Sequence, residues 1–141
     1  MFKLKTRPIL ISLLLLEWAY VSFWGLGIIV LKLQWWPPNL LGLNGYNILS
    51  EINAIQVFWV YAMLASLTLS IVLVLQKHKI AIPAYLISAM AHVFLWLSLL
   101  DNNYFNSQIG FIIITQEVAI IILMLIEYKV SFGFGTNPPQ S

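Results

Sequence analysis

Four long apolar runs, at residues 9–31, 55–75, 80–100 and 109–128, dominate the sequence, and any fold must bury or solvate all of them. At a rise of ~1.5 Å per residue, each is as long as the ~30 Å hydrocarbon layer of a bilayer, the last when it is carried through Tyr128. Water is the wrong solvent for such a chain. Of its 141 residues, 61% are hydrophobic and 9% are charged, against about 25% charged in a soluble domain. Twelve charged residues cannot cover a water-facing exterior, and this much apolar surface excludes disorder. The expected architecture is all-α and polytopic: a bundle of four transmembrane helices occupying residues 1–130, followed by a polar tail at 131–141.

Basic residues give the expected orientation. Lys3, Lys5 and Arg7 precede the first run, which is too long for a signal peptide and lacks a small-x-small cleavage site, so it reads as a retained helix with Pro8 in its first turn. In a four-span zigzag these residues share one side with Lys77, Lys79 and Lys129, while only Lys32 lies opposite. That asymmetry places both termini in the cytoplasm, or in the matrix or stroma of an organelle. A bacterial inner membrane is the expected location, with an organellar inner membrane as the alternative.

The connections set neighbours. "QKHK" and "DNNYFNSQ" are short enough to make antiparallel hairpins of spans two and three and of spans three and four. The longer outer segment, 34–53, carries Trp35 and Trp36 for the headgroup layer and Pro37 and Pro38 to stop the first helix. Ser50 or Asn47 is the expected cap of the second helix, with Glu51 in its first turn. Asp101, Asn102, Asn103 and Asn106 read as a solvated outer turn, and Glu127 with Lys129 as an interfacial anchor.

Polar residues inside the runs are the candidate site. His92 and Glu117 stand equally far from the turn between spans three and four, so antiparallel packing brings them to one depth as partners. Glu17 lies ~12 Å into the first span. Helical spacing gives span one an inward face of Glu17, Tyr20, Trp24 and Gly27, span three one of Tyr85, Ser88, His92 and Trp96, and span four one of Gln116, Glu117, Ile120 and Met124. In span two, Ala62, Ser66 and Ser70 form a small-residue seam for close helix packing.

These groups support more than one chemistry. A histidine beside a carboxylate relays protons, and a glutamate deep in a membrane exchanges a proton for a cation; the same residues also serve as interhelical glue. No catalytic residue is assigned, because no phosphate loop, dinucleotide fingerprint, nucleophile elbow or zinc-protease motif is present. With no cysteine, thiolate metal sites and disulfides are excluded. No cofactor is expected: His92 offers one axial ligand to a haem or chlorin, but His78 lies in the "QKHK" turn and cannot supply the other. No metal is expected either, although Glu17 and Glu117 would join His92 if the bundle brought all three together.

The basic residues flank apolar segments rather than forming a stripe, which points away from nucleic acid. The expected partners are membrane lipids and other integral membrane subunits. Glu17, early in the first of four helices, resembles the membrane-embedded glutamate of small multidrug carriers; the likeness covers that residue and the span count, while the longer outer loop, His92 and Glu117 depart from it. Three functions follow in order of preference: a non-catalytic accessory subunit of a larger membrane complex, energy-transducing complexes being one candidate class, a proton-coupled carrier or channel using Glu17 and Glu117, and an intramembrane enzyme on a lipid-soluble substrate.

Overall fold

The computed structural model describes residues 6–33, 35, 39–40, 43–44, 47, 51–100 and 107–129. Lys3, Lys5, Trp36, Pro37, Pro38, Ser50, Asp101, Asn102, Asn103, Asn106 and the tail at 131–141 lie outside the described residues. Four helices account for nearly all of the rest: α1 (Thr6–Lys32), α2 (Ala54–Leu75), α3 (Ala81–Ser98) and α4 (Ser107–Glu127). Each is long and apolar enough to cross a membrane. The long connection adds something the all-helical reading did not contain. Here β1 (Asn39–Leu40) pairs antiparallel with β2 (Leu43–Asn44), Asn39 opposite Asn44 and Leu40 opposite Leu43. A loop of that length must bond its own backbone groups, and a short hairpin does so locally.

Local chemistry fixes where the helices start and stop. Asn53, not Ser50 or Asn47, caps α2: its side chain accepts from the Gln56 backbone N–H at 2.9 Å while the Gln56 side chain accepts from the Asn53 N–H at 2.9 Å. This is a reciprocal capping box, and it leaves Glu51 ahead of the helix rather than in its first turn. At the other end of α2, Lys77 takes a left-handed φ of 61°. The N–H groups of Lys77 and His78 donate back to the carbonyls of Val74 and Leu73 at 3.0 and 2.8 Å, closing the helix as a Schellman motif. Arg7 from α1 completes that end, donating through Nη2 to the carbonyls of Val74 and Leu75, both at 3.0 Å. One cation thus reaches two last-turn carbonyls, of which Val74 also accepts from Lys77, and the negative end of the helix dipole.

Around the bundle the order is α1, α2, α3, α4 and back to α1, so α1 faces α3 across the axis. Each helix buries one stripe: Leu10, Leu14, Glu17, Val21, Gly25 and Ile28 on α1; Gln56, Val60, Met63, Leu67, Ser70 and Val74 on α2; Gly110, Ile113, Glu117, Ile120 and Met124 on α4. The three-and-four spacing is that of knobs-into-holes packing. On α3 the buried stripe is Ala81, Ala84, Tyr85, Ser88, Ala91 and His92, with small residues alternating with the polar ones.

Two of the sequence-derived faces differ from this. Tyr20 and Trp24 lie on the outside of α1, 37% and 45% exposed, and pack edge to face on each other with centroids 6.5 Å apart. Val21 and Gly25 take the interior instead. Both sets fit a helical period through Glu17; the rings go outward because the close packing of α1 on α2 leaves room at this level only for smaller groups such as Val21 and Gly25. On α2, Ser70 is buried, but Ala62 and Ser66 are only partly so, and Ser66 hydrogen-bonds its own helix at the carbonyls of Ala62 and Met63. Met63 and Leu67 fill the seam in their place.

Close approach of α3 and α4 depends on one glycine. A Cβ at Gly110 would fall on the indole of Trp96, whereas a Cβ at Gly27 would meet nothing. Gly110→Ala is therefore expected to destabilise the bundle by about 1–3 kcal/mol through overpacking. Thermal unfolding in detergent should show that loss, with Gly27→Ala melting like the parent protein.

Candidate functional site

Three helices bring the buried polar side chains together. Glu17, on α1, and His92, on α3, each lie about three turns from the end of the bundle that carries Arg7 and Lys77, and Glu117 lies the same distance from that end on α4. Glu17 and Glu117 are each 2% exposed and His92 is 7% exposed. An ionised carboxylate at such a position costs about 2.5 kcal/mol or more in a bilayer unless it is paired or neutralised.

The first pair joins α3 to α4. His92 Nδ1 lies 2.9 Å from Glu117 Oε1. With a neutral imidazole this is a hydrogen bond; with a protonated one it is an ion pair, and either form removes an isolated charge from the interior. The second pair crosses the bundle. The Tyr85 hydroxyl donates to Glu17 Oε2 at 2.6 Å, linking α3 to the helix on the far side of the axis. Tyr85 is fully buried, so its ring fills the centre while its hydroxyl answers the carboxyl.

The two pairs share one buried face of α3, with Tyr85 and His92 about two turns apart. Among the described residues, however, no group of three His, Asp or Glu side chains comes together to hold a metal ion. Glu17 and Glu117 flank α3 without converging on His92 as a ligand set, because Tyr85 claims Glu17.

Further polar contacts extend this network along the bundle. Ser88, between Tyr85 and His92 on α3, donates to the Met63 carbonyl at 3.2 Å, and Ser70 donates to the Ala81 carbonyl at 3.0 Å. Gln116 donates to the Leu13 carbonyl at 3.3 Å, tying α4 to α1 beside Glu117. Gln56 was not singled out from the sequence, yet it is buried and donates to the Ser98 carbonyl at 2.8 Å, joining the start of α2 to the end of α3. The N-x-x-Q spacing after the outer loop was the signal that pointed to it. Thr6 and Glu127 close the opposite end with a hydroxyl-to-carboxylate bond of 2.6 Å, so Glu127 braces the bundle as well as standing at its boundary. Trp96, assigned to the inward face of α3, is only partly exposed, and its ring nitrogen is buried without a hydrogen-bond partner.

Behind the His92–Glu117 contact, the outer seam of α3 and α4 opens into a groove of about 310 Å³. Leu86, Met90, Phe94, Ile114 and Val118 wall it, and Glu117 lines it with them. Its surface is apolar. The carboxyl of Glu117 is turned to His92 rather than offered to the outside.

Removing either partner of a buried pair leaves the other exposed to the full cost of its isolation. His92→Ala is expected to lower stability by about 3 kcal/mol, and Glu117→Gln, which keeps an acceptor for an Nδ1–H donor, by under about 1 kcal/mol. Thermal denaturation in detergent distinguishes the two, and identical melting of His92→Ala and the parent would contradict the contact. Tyr85→Phe, which deprives Glu17 of its donor, should cost about 1–2 kcal/mol by the same assay.

No protein-family model matches the chain, and comparison with curated proteins and with solved structures finds no significant relative.

Proposed function

We propose that this chain is a small integral membrane protein acting as a non-catalytic subunit of a larger membrane assembly. One observation carries the reading: most of the polar side chains inside the bundle are bonded across helices to groups of the same chain, as in Tyr85–Glu17, His92–Glu117, Gln116–Leu13 and Gln56–Ser98. Polar residues that would meet a substrate in a carrier here serve one another. The outward faces are then what the protein has to offer, and they present large apolar and aromatic side chains, among them Phe23, Phe58, Phe94 and Phe111. The groove at the α3–α4 seam suits the side chains of a neighbouring transmembrane helix, for which van der Waals fit is the main source of affinity in lipid.

The orientation belongs to the same proposal. Arg7, Lys77, Lys79 and Lys129 stand at one end of the helices and Lys32 at the other. The positive-inside rule puts the first end in the cytoplasm of a bacterial inner membrane, or on the matrix or stromal side of an organellar one.

Gentle detergent extraction from the native membrane, followed by native mass measurement and identification of co-purifying chains, tests the proposal. A stoichiometric hetero-assembly is expected, and Glu117→Gln should remain in it. A monomer or small homo-oligomer would overturn the reading and favour proton-coupled transport through Glu17 and Glu117.

A further inference from the structure

Counting charge in the interior leads beyond a purely mechanical role for the polar residues. Glu17 is 2% exposed, its Oε2 accepts from Tyr85, and its Oε1 is buried with no hydrogen-bond partner. What faces it can be named helix by helix. From α3 comes Tyr85, and two turns further along the same buried face His92 pairs with Glu117 of α4. The buried stripe of α2, from Gln56 to Val74, contains no titratable side chain. On α1 itself, Arg7 is three turns away and engaged with the α2 carbonyls, and Tyr20 faces outward.

His92 is therefore the one group of this set able to carry positive charge, and its Nδ1 is committed to Glu117. One imidazolium balances one carboxylate. With two carboxyls and one imidazole, the interior is neutral in three arrangements, of which two leave the His92–Glu117 pair matched in charge: His92 neutral with both glutamates protonated, or His92 protonated, Glu117 ionised and Glu17 protonated. In both, Glu17 keeps its proton, and in both two exchangeable protons are spread over three groups. The third, Glu17 ionised and Glu117 protonated beside a protonated His92, would set the imidazolium against a neutral acid at 2.9 Å and leave a buried carboxylate with a single neutral donor.

We propose that Glu17, Tyr85, His92 and Glu117 form a proton-holding centre in which Glu17 is a neutral acid, its proton on Oε1 and its carbonyl oxygen Oε2 accepting from Tyr85. The ligand is the proton itself, bound and released without any redox step. The centre exists whether or not the chain belongs to a larger assembly. It gives a membrane complex a subunit with a stored proton about halfway along the bundle.

Infrared difference spectroscopy of the full chain in lipid bilayers, with hydrogen–deuterium exchange, tests this. At neutral pH the parent should show a protonated-carboxyl C=O stretch that shifts down on deuteration and disappears in Glu17→Gln. Tyr85→Phe keeps the acid but removes the donor to its carbonyl oxygen, so the same band should move to higher frequency. That second variant decides the matter if Glu17→Gln does not fold. Absence of a Glu17-dependent acid band at neutral pH, or a band unmoved by Tyr85→Phe, would overturn the proposal. Because the readout is the protonation of one side chain, its failure is separable from failure of the subunit reading, which rests on native mass.

Discussion

Helix α3 is the member on which the arrangement depends. A polar group buried in an apolar interior gives up its hydrogen bonds to water, so most of the buried polar side chains take a partner from another helix. A single face of α3 meets that demand twice, through Tyr85 toward α1 and through His92 toward α4, while Ser88 between them donates to Met63 of α2. The three contacts point to three different neighbours. Apolar packing alone fixes neither rotation nor register of helices in lipid, since hydrocarbon on either side of an interface is equally acceptable. Polar contacts of this kind do fix them, because a helix turned by one residue would strand a carboxyl.

The ends of the bundle repeat the logic with different chemistry. Arg7 caps α2 and Thr6 reaches Glu127 of α4, so the first turn of α1 binds two helices that are not neighbours in sequence. At the opposite end, Gln56 serves at once in the α2 capping box and as a donor to the last turn of α3. Between these two ends the contacts are mostly apolar, apart from the central polar pairs. Such a design concentrates specificity at three levels and leaves the intervening layers to Leu10, Leu14, Met63, Leu67, Ile120 and Met124.

How much of this could be read in advance depended on the kind of signal. Span number and approximate limits were legible because hydrocarbon thickness imposes a length that few other constraints share, and the proximity of His92 and Glu117 followed from equal distances to one turn. The rotation of α1 was not legible. Glu17–Tyr20–Trp24–Gly27 and Glu17–Val21–Gly25–Ile28 obey the same period, and choosing between them requires knowing that Tyr85 already fills the centre. That Tyr85 would cross the bundle to Glu17 was equally hidden, since sequence spacing relates residues within a hairpin but not across a diagonal. The Asn53–Gln56 box, by contrast, was visible in the spacing and was passed over for Ser50 and Asn47. The hairpin of β1 and β2 left no apolar alternation long enough to announce it.

Magic-angle-spinning NMR of the chain in lipid bilayers, with nitrogen-15 in histidine and carbon-13 in glutamate side chains, addresses the central claim most directly. The account predicts a through-space correlation between the ring nitrogen of His92 and the carboxyl carbon of Glu117, retained when His78 is replaced and lost in Glu117→Gln. A helical, bilayer-embedded protein without that correlation would contradict the inward pairing on which the rest of the argument stands.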